Sequence, residues 1–84
     1  ACRWVHAAAE RGYAMAEHGL GFMYLYGECT EKNEKEAAKW FQRAAEHGLV
    51  GSAMTLGMMY EQGLGVEKNE AEAKKWYERA EPRA

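Results

Sequence analysis

The side chains best suited to catalysis or metal binding are three histidines, one serine and two cysteines. A hydrolase or metal-dependent enzyme would need His6, His18 or His47 to meet carboxylates in space, because an isolated imidazole supports neither chemistry. The chain has no glycine-rich phosphate loop and no H-E-x-x-H, C-x-x-C or G-x-S-x-G motif. We therefore expect no catalytic residue, no metal ligand and no cofactor.

The individual candidates have simpler structural interpretations. Ser52 is the only serine and falls at a small, packed position, so a serine nucleophile is not expected. His47 precedes a glycine and is interpreted as a helix C-terminal residue that the helix dipole favours. Cys2 and Cys29 are too few for a disulfide framework or a four-ligand zinc site, and we interpret them as free thiols. The glutamates on the outer faces of the B helices are interpreted as a solvated face.

Composition limits the class of protein that must position these residues. The 84 residues include 13 acidic and 11 basic side chains, and the acidic ones are all glutamate. Fifteen alanines and the absence of isoleucine favour helix over strand. The nearly balanced charge argues against a nucleic-acid partner. No apolar run approaches the roughly 20 residues that a membrane-spanning helix needs, so no membrane partner is expected. Composition leaves the cellular compartment open.

An internal repeat determines the predicted organisation. Trp4, Trp40 and Trp76 are the only tryptophans and are spaced by 36 residues. The same shift aligns residues 20–43 with 56–79, and fourteen of these 24 residues are identical. Apolar residues at i, i+3, i+4 and i+7 predict two helices, A and B, in each period. We expect one domain over 1–84, with five helices in the order B–A–B–A–B: a partial repeat at 1–11 and repeats at 12–47 and 48–84.

Local signals mark where the predicted helices begin, end and cross. Asn33 and Asn69 each precede a glutamate by three residues and are predicted to cap the two complete B helices. Gly27 and Gly63 are predicted to end the A helices. A second in-phase glycine pair, Gly21 and Gly57, lies in the middle of helix A, where glycine costs about 1 kcal/mol relative to alanine. We expect a neighbouring helix to cross closely at each of them.

At this level of detail the repeat resembles a known family. The segment LGMMYEQGLGVEKNEAEAKKWYERA at 56–80 is similar to the Sel-one-like repeat, a relative of the tetratricopeptide repeat. The first unit departs from it at 28–30, where the family prefers a Gly-x-Gly-Val turn. The resemblance implies an all-α, right-handed solenoid of about two and a half repeats that acts as an adaptor, with A helices on the concave side. It also implies no inter-helix disulfide of the kind some members carry, because Ala45 and Ser52 hold those positions.

The predicted binding site is a second stripe on the A helices, beside the packing stripe. In the resembled family these positions face the groove. Exposed apolar surface usually marks a binding site, and methionine adapts to varied partners. We expect a peptide or a short amphipathic helix to bind there. Alternatively, these side chains only pack one A helix on the next. The candidate residues are Met15, His18, Phe22, Leu25, Tyr26, Met54, Met58, Glu61 and Gln62.

The two ends of the repeat array suggest a competing function. Trp4 at one end, and Trp76 with Tyr77 at the other, are predicted to lack a neighbouring repeat that covers them. Burying one tryptophan is worth several kcal/mol, at roughly 25 cal/mol per Å². Exposed ends would therefore recruit a second copy or further repeats. The main hypothesis is a non-enzymatic module for protein or peptide partners. The alternatives are a self-associating structural module and, third, a small metal-dependent hydrolase.

Overall fold

The computed structural model describes residues 2–80, and this part of the chain contains five α-helices and no strand. Helices α1, α3 and α5 are the predicted B helices, and α2 and α4 are the predicted A helices. Each helix packs chiefly on its neighbours in sequence, as in a helical solenoid. The predicted all-α fold is therefore confirmed. The helices are α1 (Cys2–Glu10), α2 (Ala14–Tyr26), α3 (Glu34–Glu46), α4 (Val50–Gln62) and α5 (Glu70–Ala80).

Asparagine caps begin the two complete B helices, as the sequence predicts. The Asn33 side-chain oxygen accepts a hydrogen bond from the backbone N–H of Glu36 at 3.2 Å. Asn69 accepts in the same way from Glu72 at 3.1 Å. Each cap satisfies a backbone donor that the helix itself leaves unpaired, which is worth about 1 kcal/mol.

Close crossings hold each A helix against the B helix that follows it. A Cβ atom added to Gly21 would lie 2.9 Å from the Phe41 ring, and one added to Gly57 would lie 2.9 Å from the Tyr77 ring. Such distances are too short for a real Cβ contact, so the aromatic rings of α3 and α5 require glycine on α2 and α4. The expectation of a close crossing at both glycines is confirmed.

The tryptophans of α3 and α5 pack against the helices that precede them. Trp40 packs with Ala9 of α1 and Leu20 of α2, and 8% of its surface is exposed. Trp76 lies in the main core together with Leu56 of α4, and 7% of its surface is exposed. The prediction that Trp76 and Tyr77 lie uncovered is therefore wrong. The helices before α5 cover Trp76, and Tyr77 is half-buried against α4, so neither needs a later repeat.

The opposite end behaves as predicted. Trp4 on α1 has 71% of its surface exposed, because no described residue takes the place that Leu20 holds against Trp40. Tyr13 and Met15, at the turn into α2 and in its first residues, are 58% and 74% exposed. The described part of the molecule therefore has one open, apolar end.

The interpretation of the cysteines as free thiols is wrong, because Cys2 and Cys29 form a disulfide. The short turn after α1 reverses the chain, so the start of α1 meets the loop that follows α2. The two Cα atoms lie 6.1 Å apart, within the range that a disulfide spans. A separation of 27 residues carries no such signal until the helical hairpin is known.

Candidate partner-binding surface

Three rings on α2 form the centre of the candidate surface. His18, Phe22 and Tyr26 are spaced four residues apart, which places them on one face of the helix. The His18 ring meets Phe22 edge-on at 4.8 Å, and Tyr26 stacks nearly parallel on Phe22 at 5.8 Å. Phe22 also rests edge-on against the buried Phe41 at 5.0 Å. We call His18, Phe22 and Tyr26 the aromatic ladder. Phe22 packs against the main core, whereas Tyr26 is 65% exposed.

Helix α4 carries the matching stripe with different side chains. Met54, Met58 and Gln62 lie 36 residues after the three members of the ladder. Met54 is 54% exposed, Met58 is half-buried and Gln62 is exposed. His18 joins the two helices, because its Nδ1 lies 2.6 Å from the Ser52 hydroxyl of α4. The repeat therefore places a methionine stripe next to an aromatic stripe.

The contact with Ser52 determines how His18 presents its ring. Ser52 is fully buried, and its side chain bonds to no other described residue than His18. A buried hydroxyl needs an acceptor, so Ser52 donates to Nδ1 and the neutral imidazole carries its proton on Nε2. Burial lowers the pKa of His18 below the usual 6.5, which keeps the ring neutral at pH 7. His18 thus offers a partner one N–H donor and no charge.

The stripe on α4 ends in two polar residues, Glu61 and Gln62, and Glu61 is hydrogen-bonded within the molecule. Glu61 accepts a hydrogen bond from the Tyr77 hydroxyl at 3.1 Å. Burial of Tyr77, this hydrogen bond and the negative charge of Glu61 all raise the pKa of the tyrosine. Glu61 is therefore drawn toward α5, whereas Gln62 at the end of α4 is exposed and forms no side-chain hydrogen bond within residues 2–80.

The structure separates two predicted residues from this surface. Leu25 is 7% exposed and packs in the main core, so it contributes to stability and offers little area to a partner. Met15 is widely exposed but lies with Trp4 and Tyr13 around a cavity between α1 and the start of α2. The other seven predicted residues lie on α2 and α4, and Glu61 among them is turned toward α5.

The sequence interpretation missed a contact between a buried carboxylate and a histidine beside the ladder. Glu17 on α2 is 1% exposed, and its Oε1 lies 2.7 Å from Nδ1 of His47 at the end of α3. Glu17 lies on an A helix, outside the solvated face predicted for the B helices, and His47 is more than a helix-terminal residue. The available signal was the spacing of Glu17 and Gly21, because residues four apart share a face and Gly21 marks a helix crossing.

Two further features of the described residues concern metal-binding clusters and membrane-spanning helices. Between Cys2 and Ala80, no group of three or more histidine, cysteine or acidic side chains is arranged to hold a metal ion. No helix in this range is long and apolar enough to cross a membrane. His47 with Glu17, and His6 with Glu10 at 3.2 Å, are the described histidine–carboxylate pairs, and each is a single contact.

Comparison with known proteins agrees with the helical repeat. The sequence profile of the Sel1 repeat matches residues 14–49 and 52–81. A Sel1 repeat protein from Oxalobacter formigenes superimposes with a TM-score of 0.90 and 44% identity, over 93% of this chain and 59% of that one. The antigen c5321 of uropathogenic Escherichia coli displays an SLR fold. It superimposes with a TM-score of 0.90 and 40% identity, over 93% of this chain and 17% of that one.

A third solved structure is more distant in sequence. Helicobacter pylori cysteine rich protein B superimposes with a TM-score of 0.90 at 28% identity, over 94% of this chain and 59% of that one. The curated protein sequences contain no significant match. The chain thus spans about three fifths of the first of these structures. Sel1-repeat proteins are typically non-enzymatic scaffolds that mediate protein–protein interaction. On the profile match and the structural likeness together, this chain belongs to the Sel1 repeat family.

Proposed function

We propose that this protein is an interaction module that binds a peptide or a partner helix along the shared face of α2 and α4. The observation that carries the proposal is Tyr26, which lies flat on Phe22 and leaves 65% of its surface exposed. An ordered but exposed aromatic ring presents apolar area at little cost in side-chain entropy when a partner binds. Ordinary helix packing would have covered it.

The two stripes suit complementary parts of one partner. The rigid ladder on α2 offers flat aromatic surface, and Met54 and Met58 on α4 offer surface that adapts in shape. The Nε2 proton of His18 would orient the partner by donating to a carbonyl or carboxylate oxygen. An amphipathic helix with an apolar stripe and one acceptor at its edge fits this arrangement.

A display selection with a matched counter-selection tests the proposal. Random peptides are selected against the folded protein and counter-selected with the double variant Tyr26→Glu/Met54→Glu. Both residues are largely exposed, so the variant is expected to fold. Peptides that bind the native chain and are lost on the double variant support the proposal.

The control is Tyr13→Glu, which changes a similarly exposed tyrosine at the other end of α2. Selected peptides should bind this variant as they bind the native chain. Peptides that ignore the double variant, or a selection that enriches nothing, would show that the stripe only packs the A helices together.

A further inference from the structure

The shared face of α2 and α4 is nearly free of charge, although 29% of the chain is charged. Of the 13 acidic and 11 basic side chains, only Glu17 and Glu61 lie on these two helices. Glu17 is buried against His47, and Glu61 accepts a hydrogen bond from Tyr77 of α5. A charge on a partner that covers the centre of this face would therefore meet no opposite charge on α2 or α4.

His18 is the polar group at the centre of this face. Its ring meets Phe22 edge-on at 4.8 Å, and it also meets the buried Phe41 of α3 edge-on at 5.5 Å. On the side of α4, its Nδ1 lies 2.6 Å from Ser52, and a Cβ atom added to Gly51 would lie 3.8 Å from its Cε1. The ring therefore lies between the two A helices, and within residues 2–80 only Nδ1 has a hydrogen-bond partner.

The elements that pack against His18 place no charged group against its ring. On its own helix, the neighbouring Glu17 is buried and bonds to His47 at the end of α3. The residue of α3 that contacts the ring is Phe41, and the residue of α4 that bonds to it is the uncharged Ser52. Burial lowers the pKa of His18 below 6.5, as expected for an imidazole with no carboxylate beside it.

Protonation of His18 changes what the ring offers to a partner. The neutral ring accepts from Ser52 at Nδ1, whereas the imidazolium carries a proton on both nitrogens, so the buried Ser52 hydroxyl loses its acceptor. In the free protein the ring is half-buried, and water solvates the charge in part. A partner that covers the ring removes this water, and a buried charge without a counter-charge is unfavourable. The face therefore binds an uncharged partner best while His18 is neutral.

We propose that the shared face binds an uncharged, apolar stripe of a partner helix whose glutamine or asparagine amide oxygen accepts the Nε2 proton of His18, and that protonation of His18 releases this partner. The acceptor is a side chain because the backbone carbonyls of a helix are already bonded. It is an amide because a carboxylate would pair with the imidazolium and reverse the pH dependence. This assignment rests on the proposed function of the same face and adds the chemistry of the partner and its regulation.

One part of the mechanism is measurable without a partner. Nitrogen NMR of the histidine rings should show the Nε2–H tautomer of His18 at about pH 7.5. Ser52→Ala should remove this preference, and the variant is expected to fold because the chain itself has alanine at the matching position, Ala16. A ring that carries its proton on Nδ1 in the native chain would overturn the assignment, because Nε2 would then accept and not donate.

The main test measures how the affinity of the selected peptides depends on pH. Peptides selected on the native chain at about pH 7.5 are titrated by calorimetry down to about pH 5. Because the free protein holds the His18 proton more tightly than the complex, the affinity should fall by up to about tenfold for each pH unit below the pKa of the free ring. Replacing the glutamine or asparagine of the peptide by leucine should weaken binding about tenfold at the higher pH.

Two variants control the test. His18→Gln keeps an amide donor and an acceptor for Ser52 but takes up no proton, so its affinity should be nearly independent of pH. His6→Gln changes an exposed histidine of α1 that lies 3.2 Å from Glu10, and it should keep the native pH dependence.

The outcomes separate this assignment from the proposed function. Peptides that bind equally well at both pH values, or that show the same pH dependence in His18→Gln, overturn the assignment and leave the proposed function in place. An affinity that rises as the pH falls and depends on His18 identifies a carboxylate on the partner and also overturns it. A selection that enriches no peptide at about pH 7.5 overturns the proposed function and the assignment together.

Discussion

The hairpin of α1 and α2 and the hairpin of α3 and α4 share one sequence pattern but have different surroundings. In the second hairpin, α2 covers Trp40, and His47 holds the buried carboxylate of Glu17. In the first, the matching Trp4 and Arg11 face solvent. The residue type is the same or similar, so the difference in burial comes from the neighbouring helix. In a repeat protein, the energetic weight of a position depends on what stacks against it.

The loops after the two A helices show a second difference. The loop of the second hairpin packs on the start of α3, where a Cβ at Gly65 would overlap the backbone of Glu34. Its counterpart in the first hairpin is Cys29, which also has a left-handed backbone, with φ of 64° against 70° at Gly65. Cys29 uses its side chain to join the loop to α1 through Cys2. One loop is held by close backbone packing and the other by a covalent bond.

The largest expected effect is a difference in stability between variants of Trp40 and Trp4. Trp40→Ala should lower the free energy of unfolding by about 3–5 kcal/mol, because it leaves a cavity between α1, α2 and α3. Trp4→Ala should change it by less than about 0.5 kcal/mol, since most of the ring is already exposed. Urea denaturation followed by circular dichroism measures both. Equal losses in the two variants would contradict the dependence on the neighbouring helix.

Reduction of the disulfide should be the next largest effect. The bond closes 27 residues of chain, and its loss should lower the free energy of unfolding by about 3 kcal/mol through the entropy of the unfolded state. Denaturation with and without a reducing agent measures this loss. Cys2→Ser/Cys29→Ser should match the reduced protein and show no further response to the agent. A midpoint that reduction leaves unchanged would show that the bond does not contribute to stability.

The hydrogen bond between Glu17 and His47 gives a smaller contrast with the matching position, Arg11. His47→Ala removes the partner of the buried Glu17 and should cost about 2 kcal/mol, because the carboxylate stays buried with one hydrogen bond fewer. Arg11→Ala changes the matching position, where no described carboxylate is paired, and should cost less than about 0.5 kcal/mol. Thermal unfolding compares the two variants. A larger loss of stability for Arg11→Ala than for His47→Ala would contradict the stabilising role of the contact between Glu17 and His47.

The smallest effect is the pH dependence that His18 contributes. Because burial lowers its pKa below 6.5 in the folded state, the unfolded chain takes up the proton first as the pH falls. The free energy of unfolding should therefore decrease below about pH 6.5 and level off once the folded-state pKa is passed. In His18→Met, which copies Met54 of the other hairpin, this part of the decrease should be absent. An identical pH profile in the variant would refute the contribution.

Local and periodic features of the fold were predictable from the sequence. The asparagine caps, the crossing glycines and the five helices each depend on residues a few positions apart or on an exact repeat of 36. Helical periodicity likewise placed His18, Phe22 and Tyr26 on one face of α2. Helical periodicity specifies which residues share a face, but not whether a neighbour covers that face.

The errors share one physical origin. The exposure of Trp76, the free thiols and the purely helix-terminal role of His47 were each inferred from single residues or from chain position. Trp76 is covered because α5 packs against the helix that precedes it. Cys2 meets Cys29 because α1 and α2 form a hairpin, and His47 meets Glu17 because α3 packs on α2. Each outcome depends on residues 20 or more positions away.

Helix type, helix order and family membership follow from residue types and their spacing, because the forces that shape a helix act within about one turn. Which tryptophan is buried, which histidine is paired and which end of the molecule stays open depend on contacts between helices. Those contacts join positions that are far apart in the chain. The aromatic ladder is therefore a feature of the sequence, whereas the exposure of Trp4 and the burial of Trp40 are features of the assembled helices.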